Sequence, residues 1–517
     1  MPTFYTSKKL SFNNAEQFKE SFFEPEPATV GYVFIGNHVP YANEASPNSI
    51  VDSVSDEKSV WDNMFAAKKI TGNDVELVIP RVNWTANTKY KQFDDRITVG
   101  DLLTANTLLN VKPMYVLTSD RNVYKCLSNN VSANSTVEPV GDFTTANGTI
   151  STADGFIWKY MYNVKPSNRF LTTDWIPAPI STNKLDYNVS ETNVVDGEIT
   201  TIVVTNGGTG YAHPTINATA FGTGVTTITM ANTTNVAANM VVSGTGITTG
   251  TLVTTVNAIT SIITIDTATS ANGGGTTANA LTFLTRVYIE GDGSSLEASA
   301  NIANSAISKV TIDVTGTGYS YANAILYGSG TGANARVILT PKFGHGFNPA
   351  KELDASNVMI ADRIGSVDST ENGLISVDTS FRQYGLLRDP YKYGNTSPVI
   401  SSNANTVISQ TTNITLIAGT SFNLNEFVYQ GSSANNAFFY GFVNAQSANE
   451  VRLTKVKGEV SVGGLLIGAN SGVNRTVVKL DNPEFEPYTG DIMYVENVEG
   501  VTRADGQAEN IKFVIRF

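Results

Sequence analysis

The sequence predicts a mainly β protein, all-β to α+β, in which a multidomain, β-sandwich-like framework carries a few short helices and inserted small β-domains. Two observations lead to this fold class. Glycine, at 43 of 517 residues, and abundant threonine and asparagine favour turns and strands over long helices. In addition, the stretch between Glu198 and Arg286 contains a single charged residue, Asp266. Few enzymes would leave so much chain without groups that move protons or hold a metal, so this composition favours a structural role.

The length suggests three or four domains, and shifts in composition place their boundaries. Blocks rich in aromatic residues near both ends indicate one framework, which is interrupted by stretches rich in threonine, glycine, asparagine and alanine. The predicted segments are residues 1–190 (first part of the framework), 191–341 (a β-domain that carries an inserted β-module at about 222–285), 342–395 (return of the framework), 396–480 (a second β-insert) and 481–517 (C-terminal framework strands).

The first framework segment is predicted to contain two helices and two strands. Asn13 suits the N-cap of the first helix. The second helix is predicted from Ser55 or the next residue to about Ile70, because its first turn is acidic, its last turn is basic and its apolar residues form one stripe. Alternation and a terminal proline predict a strand over residues 75–80, and aromatic alternation predicts another over 155–162.

An internal repeat marks the β-domain. Residues 204–211 (VTNGGTGY) recur in shorter form at 314–319 (VTGTGY), which predicts two related hairpins whose glycines adopt positive φ and whose tyrosines cover the turn. Strands of the inserted module are predicted at 225–230, 240–242, 251–256 and 261–265, and a final strand of the chain at 511–517.

Charge and hydropathy exclude several classes of partner. A net charge of −12 without a clustered basic stripe argues against nucleic acid as a partner. No run of about 18 apolar residues is present, so no membrane span is expected, and the amino terminus has no apolar stretch typical of a signal peptide. The only cysteine, Cys126, lies in an alternating segment that predicts a buried strand, and a lone cysteine cannot form an intramolecular disulfide.

Motifs for catalysis or cofactor binding are weak. The three histidines, His38, His213 and His345, are far apart and none has a metal-ligand spacing. His345, between two glycines, is expected to be a turn residue hydrogen-bonded to backbone rather than an exposed proton-transfer group. The glycine turns lack the lysine and serine or threonine of a phosphate-binding loop.

Paired carboxylates remain an open alternative, because a glycosidase needs only two placed acids. The candidates are Asp94 with Asp95, Asp154, and Glu484 with Glu486, although solvated surface acids explain them better. The sequence therefore assigns no catalytic, cofactor-binding or metal-binding residues, and we expect neither an enzyme nor a cofactor.

Several blocks nevertheless occur in a recognisable order. They are Asp52-Ser53-Val54 leading into Val60-Trp61-Asp62-Asn63-Met64, then residues 78–84 (VIPRVNW), 123–127 (VYKCL), 148–150 (GTI), 154–160 (DGFIWKY), 381–383 (FRQ) with Asp389-Pro390, and 490–497 (GDIMYVEN). In this order the chain resembles the baseplate wedge protein called gene product eight of T-even-type contractile-tailed phages. The resemblance covers about residues 30–180, 375–395 and 485–517, and it leaves out the two β-rich stretches.

The resemblance implies a non-enzymatic, mainly β subunit of the virion, made in the host bacterial cytoplasm and built into the tail baseplate. Its expected partners are other wedge subunits, with a homodimer in each wedge and six wedges around the tail hub. The expected role is baseplate assembly and the rearrangement that triggers sheath contraction, while the inserts add contacts to neighbours. Residues expected to build the framework or an interface are Trp61, Arg81, Trp84, Phe381, Arg382, Gln383, Glu496 and Asn497.

Two other classes remain. A tail-fibre or receptor-binding protein that recognises host surface glycans would form trimers and display aromatic or polar pockets in the inserts. A virion-associated glycan-cleaving enzyme would bring two carboxylates close together.

Overall fold

A computed structural model describes residues 8–23, 30–145, 148–180, 194–364, 379–395, 400, 407–502 and 509–517. The described chain is mainly β, as the sequence predicts. It has four α-helices, which are α1 (Lys8–Glu20), α2 (Val54–Asn63), α3 (Val99–Leu103) and α4 (Pro349–Glu352). None of these described helices is long and apolar enough to span a membrane.

The strands are short and numerous. In the first half of the chain they are β1 (Gly31–Gly36), β2 (Met64–Lys69), β3 (Val75–Pro80), β4 (Lys89–Tyr90), β5 (Val111–Lys112), β6 (Tyr115–Leu117), β7 (Asn122–Ser128), β8 (Thr149–Ser151), β9 (Ile157–Asn163), β10 (Trp175–Pro177), β11 (Thr201–Thr209), β12 (Thr215–Ile216), β13 (Thr227–Thr229), β14 (Val241–Ser243), β15 (Val253–Asn257) and β16 (Ile262–Ile265). In the second half they are β17 (Leu281–Leu284), β18 (Arg286–Gly291), β19 (Ser294–Ala303), β20 (Ala306–Thr317), β21 (Ala322–Tyr327), β22 (Thr331–Ile338), β23 (Asn357–Ile364), β24 (Phe381–Arg388), β25 (Val407–Ser409), β26 (Thr412–Leu416), β27 (Phe427–Gly431), β28 (Ala437–Gln446), β29 (Glu450–Gly458), β30 (Leu465–Gly468), β31 (Asn474–Asp481), β32 (Asp491–Val501) and β33 (Glu509–Arg516).

The chain divides into two compact units. Unit 1 comprises Met1–Phe12 and Val78–Ala355, and unit 2 comprises Asn13–Leu77 and Ser356–Phe517. This division differs from the predicted segments, because it separates the first framework segment at Leu77 and groups its larger part with the β-domain. The predicted boundaries at 190/191 and 395/396 lie outside the described residues.

A five-stranded sheet in the order β25-β2-β1-β24-β32 organises unit 2. Its central strand β1 is buried along almost its whole length and pairs antiparallel with β2 on one side and β24 on the other. Helix α2 packs Val60 and Trp61 against Tyr32 and Phe34 of β1 in one apolar core. Strand β33 pairs antiparallel with β23 and contains all but the last residue of the predicted C-terminal strand.

The second β-insert contains a closed barrel in the order β26-β29-β28-β27-β30-β31. Alternate residues point inward to a core of their own, which includes Val428, Phe439 and Leu453. The barrel spans Thr412–Asp481, inside the predicted 396–480 apart from its last residue, while β25 belongs to the five-stranded sheet.

Unit 1 contains a four-stranded sheet, β6-β7-β9-β8, and a six-stranded sheet, β11-β22-β21-β18-β19-β20. Both glycine-tyrosine repeats belong to the larger sheet, where β11 and β20 carry them at its two edges. As predicted, Gly210 and Gly318 have positive φ, at 77° and 76°. The prediction that the repeats form hairpins is wrong, because β11 pairs with β22 and β20 pairs with β19 rather than each with the strand that follows its repeat. Tyr211 and Tyr319 are buried in the same core beside these turns.

The small β-module consists of two three-stranded sheets, β12-β17-β14 and β13-β16-β15, around one aliphatic core. The four strands predicted inside it are present as β13, β14, β15 and β16, each within a few residues of its predicted bounds. The module begins earlier than the predicted residue 222, because Ile216 and Ala218 belong to the same core.

Two helix predictions are wrong in their bounds. Helix α2 ends at Asn63 rather than near Ile70, because Met64 adopts extended dihedrals and begins strand β2. The run from Met64 to Ala67 is buried throughout as an interior strand, and a continuous apolar run does not distinguish helix from strand. Asn13 is not an N-cap, since α1 begins at Lys8 and Asn13 lies exposed within it.

Candidate functional site

The eight framework or interface candidates fall into two groups. Arg81 and Trp84 belong to unit 1, whereas Trp61, Phe381, Arg382, Gln383, Glu496 and Asn497 belong to unit 2 and lie on or against its five-stranded sheet. Gln383 and Asn497 are more than 110 positions apart in the sequence, and they become neighbours because β24 pairs with β32.

Arg382 ties the loop after β1 to strand β24. Its Nε donates to the two carboxylate oxygens of Glu44 at 2.8 and 3.0 Å, and its Nη1 donates to the backbone carbonyl of His38 at 2.9 Å and to Ser380 Oγ at 2.7 Å. These hydrogen bonds from Arg382 hold the pKa of Glu44 below its usual value. Because the guanidinium is largely buried, these bonds satisfy a group that would be costly to bury alone.

Gln383 and Asn497 face each other across β24 and β32. The Gln383 Nε2 donates to Asn497 Oδ1 at 2.9 Å, and Asn497 Nδ2 donates in turn to the backbone carbonyl of Asn48 at 2.8 Å. This short chain of amides fixes the register of the two strands and anchors the loop at Asn48.

Glu496 lies exposed on the edge strand β32, between two tyrosines. Tyr384 donates its hydroxyl to Glu496 Oε2 at 2.5 Å, and Tyr494 donates to the same oxygen at 2.8 Å. Burial and the neighbouring carboxylate raise the pKa of Tyr384. Met493 and Tyr494 are about half exposed, so this edge of the sheet combines apolar and hydrogen-bonding surface.

A cavity of about 690 Å³ lies beside this cluster within unit 2. Its walls are mainly apolar and include Phe18, Phe22, Ile70, Leu386, Phe513 and Phe517. The remaining unit 2 candidates, Trp61 and Phe381, are each 4% exposed and pack in the interior, which gives them no surface for a partner.

In unit 1, the side chains of Arg81 and Trp84 donate hydrogen bonds to neighbouring loops. Arg81 Nη1 donates to the carbonyl of Thr172 at 2.8 Å, and Trp84 Nε1 donates to Ser135 Oγ at 3.1 Å. Trp84 also packs against the core of the four-stranded sheet. The structure therefore does not bring all eight candidates into one site.

Sequence reasoning missed a buried ionic cluster in unit 1, formed by Lys125, His345 and Glu352. Lys125 Nζ lies 2.6 Å from Glu352 Oε2 and 2.9 Å from His345 Nδ1, and it lies 4.1 Å from the ring centroid of Phe93. Lys125 has no exposed surface, and His345 is 1% exposed. His345 is a turn residue, as expected, but the expected hydrogen bond to backbone is wrong, because its ring turns inward to side-chain partners. The one available signal was a lysine inside the apolar run of β7.

Burial and charge shift the pKa values of this cluster. Burial, followed by repulsion from Lys125, lowers the pKa of His345 to about 3. Burial alone would raise the pKa of Glu352, but the charge of Lys125, whose Nζ lies 2.6 Å from Glu352 Oε2, outweighs it and lowers that pKa to about 2. Burial lowers the pKa of Lys125, although attraction to Glu352 opposes this shift.

A second buried histidine lies in unit 2. His38 Nδ1 is 2.6 Å from Asn425 Oδ1, and His38 Nε2 is 2.6 Å from Thr454 Oγ1. The histidine thus joins the end of β1 to the barrel. Burial, opposed only in part by the Asn425 hydrogen bond, lowers the pKa of His38 to about 4.

The paired-carboxylate candidates have structural partners. Asp94 and Asp95 both bind the guanidinium of Arg336, the latter at 2.6 Å, and Asp154 accepts from the backbone N–H of Thr136 at 2.7 Å. Glu484 and Glu486 belong to unit 2. Within the described ranges, no group of three or more histidine, cysteine or acidic side chains could hold a metal ion. Cys126 is buried in β7, as predicted, and burial raises its pKa well above the usual value.

No protein-family model matches the chain, and no curated protein matches it in sequence.

Proposed function

We propose that the chain is a structural subunit of the tail baseplate wedge of a contractile-tailed phage. The observation that carries this proposal is the pairing of β24 with β32, in which Gln383 meets Asn497 and Tyr384 meets Glu496. Two blocks on which the resemblance depends are thereby joined in one sheet, although the barrel separates them in the sequence. A third block, the helix that contains Trp61, packs on the same sheet.

The remaining blocks of the resemblance share the other unit in the same way. Residues 123–127 and 154–160 meet in the pairing of β7 with β9, and Trp84 packs on that sheet. An order of blocks that arose by chance would not be expected to form two contiguous cores. The two β-rich stretches, in contrast, have cores of their own, as added modules would.

The partner-facing part of this framework is, in the proposal, the edge formed by β32. An edge strand leaves backbone N–H and C=O groups open to another chain, and β32 is 11 residues long. Met493 and Tyr494 supply exposed apolar surface there, and Glu496 supplies charge at its rim. Such a mixture suits contacts that form during assembly and are exchanged when the baseplate rearranges.

A mixing experiment tests this role. The purified chain is combined with the other wedge subunits encoded in the same genome, and complexes are separated by size with their masses measured. We expect a stable wedge complex with the natural chain and at least roughly tenfold weaker assembly for Met493→Asp, because a charge would be buried at the contact.

The matched control is Ile259→Asp, which adds the same charge at a fully exposed apolar residue of the small β-module. Assembly should be unchanged in this variant. Absence of any complex with the natural chain would overturn the wedge proposal. Equal assembly of both variants and the natural chain would remove β32 from the interface.

One observation favours the alternative of a glycan-recognising tail protein. The outer face of the barrel carries five aromatic side chains on adjacent strands, which are Phe427, Tyr429, Phe438, Tyr440 and Phe442. Phe427 packs against three of them with ring centroids 5.3 to 6.1 Å apart. Aromatic rings stabilise neighbouring strands as cross-strand pairs, and they also stack on ligands. Binding of soluble host glycans that is lost in Tyr440→Ala would favour this alternative.

A further inference from the structure

The buried ionic cluster of unit 1 has no role in the proposed wedge contacts, yet its chemistry is unusual for a structural core. Three ionisable side chains meet in the interior of unit 1, and two of them, His345 and Glu352, come from one short segment, residues 343–354. The third, Lys125, comes from the interior strand β7. The Lys125 ammonium group therefore contacts two side chains of this segment. The segment is also attached by the Phe343 N–H, which donates to Asp196 Oδ1 at 2.8 Å, and by the Ala350 N–H, which donates to the carbonyl of Pro179 at 3.2 Å.

The geometry fixes the protonation state of the histidine. Lys125 is paired with a carboxylate at 2.6 Å, so its Nζ is an ammonium, which can only donate hydrogen bonds. His345 Nδ1, at 2.9 Å from this Nζ, must then accept, and only a neutral imidazole accepts at Nδ1. A proton on Nδ1 would place two cationic groups in contact at a buried site.

The segment is shaped so that both acceptors reach the same ammonium. Gly344 and Gly346 flank the histidine with φ of 92° and 91°, a conformation that L side chains rarely adopt. The Gly346 N–H donates to Glu352 Oε1 at 2.7 Å, which leaves Oε2 for Lys125. Asn348 caps the short helix that carries Glu352 by accepting from the Lys351 N–H. The loss of either acceptor, His345 Nδ1 or Glu352 Oε2, therefore weakens the contact between the segment and Lys125.

We propose that residues 343–354 form an acid-released latch in unit 1, in which a proton taken up by His345 breaks its contact with Lys125 and frees the segment from strand β7. This inference is independent of the wedge proposal, because it concerns contacts within unit 1 alone. The released segment would expose Phe347, which is half-buried in the closed segment, together with the side chains of Lys125 and Glu352.

The charges around His345 all come from elements packed against it. Lys125 lies on β7, Lys159 lies on the neighbouring strand β9, and Glu352 lies on α4. The carboxylate of Glu198 interacts electrostatically with Lys159. Burial is the largest cause that lowers the pKa of His345. The positive charges of the two lysines lower it further, whereas Glu352 raises it. The folded site is therefore held neutral at His345 well below the pH at which a free histidine gains its proton.

The sign of the pH effect follows from proton linkage. The open segment has a histidine with the ordinary pKa of 6.5, whereas the closed segment protonates only near 3, so opening takes up one proton between these values. Glu352 has an ordinary pKa of 4.5 and a closed value of about 2, so opening takes up a second proton below 4.5. Opening should thus become about tenfold more favourable per pH unit below 6.5, and about hundredfold per unit below 4.5.

Amide hydrogen exchange of the full chain tests the latch. The amides of Glu352 and Leu353 donate to the carbonyls of Asn348 and Pro349 within the segment, so their exchange reports its opening. After correction for the intrinsic pH dependence of exchange, their protection should fall about tenfold per pH unit from 6.5 to 4.5. Amides of β16 in the small β-module, also in unit 1, should keep their protection over that range.

Two variants separate the latch from general acid sensitivity. His345→Gln keeps a hydrogen-bond acceptor that cannot be protonated, so the protection of the segment should no longer depend on pH above 4.5. His213→Gln, which alters a half-buried histidine elsewhere in unit 1, should keep the slope of the natural chain.

Three results would overturn the proposal. One is a segment whose protection in the natural chain does not change between pH 6.5 and 4.5, a measurement that needs no variant to fold. Another is equal loss of protection in β16, which would show that the unit unfolds as a whole. The third is a His345→Gln protein that folds and retains the tenfold slope.

Discussion

The two buried histidines of this chain occupy environments that differ in charge. His38 in unit 2 is bonded by an amide and a hydroxyl, those of Asn425 and Thr454, whereas His345 in unit 1 is bonded to a lysine that also pairs with a glutamate. Both rings are almost fully buried, and burial is the largest cause of the lowered pKa of each. The same residue type thus serves as a neutral connector in one unit and as part of an ionic cluster in the other.

Burial alone therefore does not determine how a buried histidine responds when its own charge or that of a neighbouring side chain changes. Around His38, no hydrogen-bond partner can titrate, so only the ring itself gains a proton in acid. Around His345 the partners are charged. Removal of one of them leaves the opposite charge buried in an apolar interior without its counter-charge.

The largest expected effect is that of Lys125→Met in unit 1. The substitution keeps the volume of the side chain but leaves Glu352 buried without its cation, so the free energy of unfolding of unit 1 should fall by about 3–5 kcal/mol. Denaturant-dependent hydrogen exchange measures this loss for each unit separately. Lys455→Met is the matched control in unit 2, because Lys455 lies near His38 without a hydrogen bond to it.

The control should change the free energy of unfolding of unit 2 by less than about 1 kcal/mol. Similar losses in the two variants would contradict the distinction between an ionic and a neutral site. A Lys125→Met protein that is more stable than the natural chain would show that Glu352 can be buried in its protonated form beside an apolar side chain.

Acid should weaken unit 2 through His38 by a smaller amount. The folded pKa of about 4 lies below the ordinary 6.5, so the unfolded chain binds the proton first, and stability is lost as the pH falls from 6.5 to 4. One proton corresponds to about 1.4 kcal/mol per pH unit and about 3 kcal/mol in all. The measurement is the free energy of unfolding of unit 2 at intervals of half a pH unit.

His38→Gln should remove this slope, because glutamine offers both a donor and an acceptor to Asn425 and Thr454 but does not titrate. A slope that persists in His38→Gln would assign the acid sensitivity to other groups. A slope of two protons would contradict the neutral character of the site.

The smallest expected effect is that of Thr454→Val. Valine has nearly the shape of threonine but leaves His38 Nε2 buried without a partner, which should cost unit 2 about 1–2 kcal/mol. Thr454→Ser keeps the hydroxyl and should cost less. If valine and serine reduce the free energy of unfolding equally, the lost methyl group and not the hydrogen bond determines the effect.

Local elements of the fold were predictable where the pattern had one meaning. Alternation and a terminal proline predicted β3 with its exact bounds, and glycine turns predicted the strands of the small β-module. The pattern failed from Met64 to Lys69, because an apolar run that follows a helix fits either a further turn of helix or a buried strand. The pairing of this run with β1, a distant segment, decided the outcome.

The candidate sites were predictable only in part, for a similar reason. The contact of Gln383 with Asn497 depends on strand pairing over a long sequence separation, whereas the resemblance named both residues only as framework or interface candidates. Lys125 and His345 are 220 residues apart, and no spacing or composition in the sequence joins them. Long-range contacts of this kind follow from topology, which single-residue patterns do not encode.

The most direct test of the wedge proposal is the mass of the natural full chain in solution, measured by light scattering at several concentrations. A subunit of 55.3 kDa that forms the expected homodimer gives 2 × 55.3 = 110.6 kDa. We predict this dimer, with dissociation only on dilution. A stable trimer would contradict the wedge assignment and support a tail-fibre or receptor-binding protein.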